Sequence, residues 1–221
     1  MIITGVTYGV VTRVLLASRS PARLATLRRA GIEPVVRVSD VDEDAVLARA
    51  EAATGPLDPA DAALLLARAK AETVAAQAFG DVIVLGCDSL LALGGSIHGK
   101  PADADQAVRR WQAMRGGSGV LHTGHWLIDM RETDAGGQGG TIGATASTVV
   151  HFADPSDAEI EAYVATGEPL EVAGAFTVDG LGGPFVAGIE GDHHNVVGLS
   201  LPLLRTLLAR LDVSVTDLWR R

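Results

Sequence analysis

Cysteine occurs once in the 221 residues, at Cys87. A single thiol cannot close an internal disulfide, which suits a reducing compartment. Aromatic residues are scarce too, at 4%. A core must therefore come mainly from Leu, Val, Ile and Ala, and the 48% apolar share supplies them. No apolar run approaches the ~18 residues of a membrane span. Residues 1–12 (MIITGVTYGVVT) lack the basic start and long apolar stretch of a signal peptide. The cytoplasm is the expected compartment. Basic charge is also short: 18 Lys and Arg face 27 Asp and Glu, a formal net charge of −9. That argues against nonspecific nucleic-acid binding, which needs a basic surface. A small anionic substrate needs only a local cluster of cations and backbone N–H groups, so it stays open.

What is present alternates between strand and helix signals. Val14–Ala17 reads as a buried strand, followed by a helix with Ser20 as N-cap, Pro21 as first residue and Gly31 as stop. Val35–Val38 reads as a second strand and residues 49–58 as a variable loop. Asp58-Pro59 opens a long helix through Leu64, Ala67, Ala71 and Val74. Asp81–Cys87 (DVIVLGC) is the best central strand, ending at Gly86-Cys87-Asp88-Ser89. A hairpin follows around Gly94-Gly95. A helix from Asp103 aligns Ala107, Val108, Trp111 and Met114. Strands near 120–130 and 144–152 flank a Gly-rich tip, and Ser156 with Glu159 makes a capping box. A last helix covers Pro202–Leu211. The expected fold is mixed α/β, a twisted sheet with flanking helices. The expected organisation is an extension at 1–13, one catalytic domain over 14–212 and a tail at 213–221.

Several segments could carry chemistry. In LLASRSPAR, a helix N-terminus offers unpaired N–H groups and partial positive charge to a phosphate. Ser18 and Ser20 add hydroxyls and Arg23 a guanidinium fork. An ordinary Ser-capped helix would look the same. The acidic run SDVDED (Ser39–Asp44) could bind Mg²⁺ or be a solvated loop. Asp88, at the end of the most apolar strand, is costly to bury unless it meets a cation or hydrogen bonds. GGSIHGK (Gly94–Lys100) has phosphate-loop spacing, but Pro101 replaces the hydroxyl that would bind Mg²⁺, and the context is a hairpin. Lys100 could still serve as a point charge. His122, His125, His193 and His194 lack the spacing of a zinc site.

The order of these blocks resembles the Maf family from about residue 14 to 211. The matching stretches are LLASRSPARLATLRRAGI, VSDVDE, LARAKAETVA, VLGCDSLLALGGSIHGKP, TGEPLEVAGAFTVDGLGGPFV and IEGDHHNVVGLSLPLL, in a phrasing closest to actinobacterial members. The resemblance implies an elongated, two-lobed, ITPase-like fold with a central cleft. It implies hydrolysis of a nucleoside triphosphate to monophosphate and pyrophosphate with a divalent cation, Mg²⁺ or Mn²⁺. Carried over, Ser18, Ser20, Arg23, Lys70 and Lys100 would bind phosphates. Glu43 and Asp88 would hold the metal, Asp88 serving as base, and Ser89 and Asp179 would face the substrate. A homodimer is a further family expectation. A nucleotide-binding regulator of septum formation is the alternative, but Arg23, Glu43, Asp88 and Lys100 are intact, which favours an enzyme. The chain departs from the family's dTTP/UTP branch at Ala22, Ser89 and Asp179, and from its 7-methyl-GTP branch at the same places. An acid at 179 could accept N–H donors of a guanine-like base, whereas Ala22 offers no stacking surface.

Overall fold

The computed structural model describes residues 12–219, so most of the expected N-terminal extension lies outside the described residues. Seven strands among them form one mixed sheet: β1 (Arg13–Ala17), β2 (Val35–Val36), β3 (Val82–Leu93), β4 (Ser96–His98), β5 (Ser118–Asp129), β6 (Thr141–Phe152) and β7 (Val186–Glu190). Their order is β2-β1-β3-β5-β6-β7, with β4 paired to β3 off this path. β1 runs parallel to β2 and β3, and the remaining pairings are antiparallel. Flanking helices are α1 (Pro21–Arg29), α2 (Glu43–Thr54), α3 (Pro59–Ala75), α4 (Ala104–Met114), α5 (Asp157–Ala165), α6 (His193–Val197) and α7 (Leu201–Ala209). The expected mixed α/β architecture is what the chain adopts. No described helix is long and apolar enough to cross a membrane.

β3, β5 and β6, at twelve residues each, are long enough to serve two packing regions. At one end Val14, Leu16, Leu27, Ile83, Leu85 and Leu127 pack against Leu204, Leu207 and Leu208 of α7. Val213 and Leu218, beyond α7, join this cluster. At the other end Trp111 stands edge-on to Phe152, Tyr163 and Phe185, and its indole N–H donates to Ala175 O at 2.7 Å. Few rings sufficed because most of them are gathered in this one cluster.

α3 covers the opposite face of the sheet at the closest range the backbone permits. A Cβ at Gly86 would stand 2.2 Å from Ala67 O, and one at Gly124 would stand 2.2 Å from Ala63 O. Glycine on the strands and alanine on the helix let the two backbones touch. This contact sets Lys70 over the middle of β3.

Three expectations change. Residues 49–54 are the second half of α2 rather than loop. Asp42 caps that helix by accepting from Ala45 N, an Ala-rich run continues it, and Gly55 stops it at φ 85°. None of its residues is buried, so no apolar stripe marked it in the sequence. The second strand shrinks to Val35–Val36. The central strand does not end at Ser89; it continues to Leu93, because β5 pairs with it from Ile83 to Ala92. Asp88 is therefore an acid in mid-strand. At the Gly-rich tip Asp129 accepts from Arg131 and from Gln138 N, and Arg131 also donates to Leu211 O.

Candidate active site

β1 accompanies β3 only as far as Gly86, and β4 begins to pair at Leu91. Residues 87–90 thus have β5 on one side and an open edge on the other. At this gap β1 ends and the chain turns through Ser18-Arg19-Ser20 into α1. Ser20 caps α1 by accepting from Arg23 N at 3.3 Å, as its Ser-Pro start predicts. Ser18 Oγ accepts from Ser20 N at 3.2 Å.

Arg23 fills the gap from α1. Its Nη1 donates to Cys87 O at 2.9 Å, the kind of carbonyl that a longer β1 would have bonded. Nη1 also donates to Ser18 Oγ at 3.1 Å, Nη2 to Ser89 Oγ at 3.0 Å and Nε to Gly198 O at 2.7 Å. Four of the five guanidinium N–H groups are thereby committed, leaving one on Nη2. Arg23 and Ser18 are buried. Both hydroxyl hydrogens of Ser18 and Ser20 stay uncommitted, since their oxygens only accept.

On the α3 face Lys70 stands between two acids. Its ammonium donates to Glu43 Oε1 at 2.7 Å and to Asp88 Oδ1. The Glu43 side chain is 50% exposed, the Asp88 side chain 8%. Burial pushes the Asp88 carboxyl up from the usual range, while Lys70 and Arg23 pull it back. Burial also raises the Cys87 thiol to about 12, so it is an inert part of the core.

Glu43 and Asp88 already share one cation, the Lys70 ammonium, so positive charge between them is accommodated. Two carboxylates suit Mg²⁺, which takes few protein ligands and fills its shell with water and phosphate oxygens. No group of three or more His, Cys, Asp or Glu side chains that could hold a metal occurs among the described residues. Other ligands would have to come from substrate and solvent.

The structure thus brings together Ser18, Ser20, Arg23, Lys70, Glu43, Asp88 and Ser89. Lys100 and Asp179 have partners elsewhere. Lys100 Nζ lies 3.7 Å from Glu171, with its side chain 59% exposed. Asp179 lies 4.0 Å from Arg29 on α1. Arg29, with Thr26, His193 and His194, lines a hollow of about 140 Å³.

Sequence reasoning missed the residues behind Arg23. Thr123 on β5 hydrogen-bonds with Ser89 at 2.9 Å and donates to Asn195 O at 3.1 Å. The Asn195 amide donates to Leu121 O and Thr148 Oγ1. His125 donates through Nδ1 to Thr123 O and accepts at Nε2 from Ser200 N. These partners lie up to 75 positions apart in the chain, so no local pattern announces them.

Fold and gap together define a mixed α/β protein whose hydroxyls, cations and carboxylates gather where its central strand lacks a neighbour. The chain belongs to the Maf family: the Maf-like protein model matches residues 13–211. Relatives include a nucleoside triphosphate pyrophosphatase of Leifsonia xyli subsp. xyli, 56% identical over 95% of this chain and 97% of its own length. Another, from Streptomyces coelicolor and bearing the same name, is 56% identical over 94% of each chain. A solved dITP/XTP pyrophosphatase from Mycobacterium abscessus aligns with TM-score 0.37 and 14% identity over 90% of this chain and 94% of that one. That match is too loose to bear on fold or function.

Proposed function

We propose that this enzyme hydrolyses nucleoside triphosphates between the α and β phosphates, releasing monophosphate and pyrophosphate with the help of Mg²⁺ or Mn²⁺. The observation that carries the reading is one strand gap where a helix start, a fixed guanidinium and two cation-sharing carboxylates meet. The 56% identity to proteins named nucleoside triphosphate pyrophosphatase supports the same reaction and favours it over the regulatory alternative.

Phosphoryl substitution needs charge neutralisation and alignment more than covalent help. Ser18 and Ser20 donate their free hydroxyl hydrogens to phosphate oxygens at the α1 N-terminus, whose partial positive charge favours the anion. Arg23 aims its one remaining N–H at the same oxygens. Lys70 adds a point charge beside them, and Lys100, 59% exposed and 3.7 Å from Glu171, would have to leave that partner to add another. Glu43 and Asp88 would hold the metal, which neutralises phosphate charge and acidifies water when bound. Asp88 orients the attacking water and takes its proton, a role that its raised pKa suits. The water oxygen bonds to the α-phosphorus as the bond from that phosphorus to the bridging oxygen breaks, and pyrophosphate leaves. Asp179 accepts from N–H donors of the base.

The test is a panel of canonical, methylated and deaminated triphosphates with Mg²⁺ or Mn²⁺, with pyrophosphate and orthophosphate measured separately. Pyrophosphate with monophosphate is the expected result. Orthophosphate alone would make the protein a phosphatase, and no release from any member would overturn the enzymatic reading.

A further inference from the structure

We infer that Thr123 is a positioning residue which, through the Ser89 hydroxyl, fixes the direction in which Arg23 presents its one uncommitted N–H. The inference rests on the reading of Arg23 as a phosphate ligand and adds a residue that cannot itself reach the phosphates.

The argument is a count of hydrogens. The Thr123 hydroxyl has one hydrogen, and it is donated to Asn195 O at 3.1 Å, an atom that can only accept. Thr123 Oγ1 must then be the acceptor in its 2.9 Å bond with Ser89, so the Ser89 hydrogen points away from the gap. Ser89 Oγ consequently turns a lone pair toward Arg23, and Nη2 donates to it at 3.0 Å. Ser89 has no hydrogen left for a substrate phosphate. Its part at the gap is to orient the guanidinium.

The far end of the chain is rigid. Asn195 is fully buried, and its side chain is anchored on Leu121 O at 3.1 Å and on Thr148 Oγ1 at 3.0 Å. The same α6 segment leads to Gly198, whose carbonyl accepts from Arg23 Nε at 2.7 Å. The guanidinium is thus gripped from one short helix twice, directly by Gly198 and at a distance through Thr123 and Ser89. Thr123, at 0% exposure, holds its own hydroxyl away from water, which would otherwise compete for its hydrogen.

Replacing Thr123 by Val keeps its shape and removes the acceptor. The guanidinium stays charged and near the phosphates, so ground-state attraction survives while alignment in the transition state is lost. Thr123→Val should lower kcat about tenfold to a hundredfold with KM within about threefold. Thr123→Ser, which retains the hydroxyl, should recover wild-type kcat to within about threefold. In a Ser89→Ala background, Thr123→Val should add less than about twofold, because the relay is already cut. Side-chain ¹⁵N NMR supplies a readout without turnover: slow rotation of the Arg23 Nη2 group should be seen in wild type and Thr123→Ser and lost in Thr123→Val, while Nη1, held by Ser18 and Cys87, stays slow in all three. Should Thr123→Val fail to fold, Thr123→Ala carries the same readouts. Wild-type kinetics and slow Nη2 rotation in Thr123→Val, or equal losses from Val and Ser, would overturn the inference. An inactive wild type would overturn the pyrophosphatase reading instead, and the NMR comparison would still judge the relay.

Discussion

A buried guanidinium with four of its N–H groups bonded to protein is a fixed object, and a fixed donor suits a reaction whose charge moves. Asp88 is the complementary case. Its carboxyl is buried, raised by desolvation and restrained by one ammonium and one guanidinium, so it can exchange a proton without leaving its place. Asp88→Asn is expected to cut pyrophosphate release by about 10²- to 10⁴-fold with the fold retained, since general-base catalysis is worth that much. Steady-state turnover beside circular dichroism checks this, and turnover near wild type would remove Asp88 from the base role. The three hydroxyls differ by their hydrogen budgets alone. Ser18 and Ser20 accept from protein groups and have hydrogens to give, whereas Ser89 has given its own to Thr123.

At the scale of elements, the site depends on how closely α3 approaches the sheet. Lys70 meets Asp88 because Ala63 and Ala67 rest on Gly124 and Gly86 with no side chain between. Gly124→Ala would drive a methyl to 2.2 Å from the Ala63 carbonyl oxygen, a backbone atom that cannot swing aside. The expected cost is about 3 kcal/mol or more, from overpacking that only a shift of the helix can relieve. Urea denaturation measures it, and a loss below about 1 kcal/mol would mean that α3 is not so rigidly seated. The gap in the sheet is also an element-scale property. It exists because β1 stops at Ala17 while β3 runs on to Leu93, and the charged groups collect where backbone pairing is interrupted.

For the whole molecule, His125 joins the central sheet to the cap of α7 and so to the Leu-rich core. Burial lowers its pKa from 6.5 to about 4, and its neutral form is the one that accepts from Ser200 N while donating to Thr123 O. Between pH 6.5 and 4 the unfolded chain binds a proton here that the folded chain refuses. Stability therefore falls as pH drops through that window, by about 3 kcal/mol in total, and this contribution levels off below pH 4. Chemical denaturation at pH 7, 5.5 and 4.5 should show a steeper decline for wild type than for His125→Asn. Parallel declines would exclude His125 as the source. Two aliphatic layers and one aromatic cluster hold the three long strands, so loss of the α7 cap is felt in the global transition.

Local chemistry determined much of this molecule before any packing was known. Ser20-Pro21 starts a helix because a hydroxyl caps and a proline presets φ; Ser156 and Glu159 box another; Trp111 and its neighbours fall on one helical face. The ordered blocks carried the family and with it the residues to watch. α2 is helical on local grounds, an Asp42 cap and an Ala-rich run, yet only the structure revealed it, since a helix with no buried residue leaves no apolar period in its sequence. Tertiary structure alone made Asp88 a mid-strand residue, because β5 supplies partners along the full length of β3 and Lys70 meets the charge. It alone separated Ser18 and Ser20, whose hydroxyl hydrogens are uncommitted, from Ser89, whose hydrogen goes to Thr123. Hydrogen direction depends on which oxygen stands opposite, and the oxygens that settle it lie on β5 and α6, far along the chain.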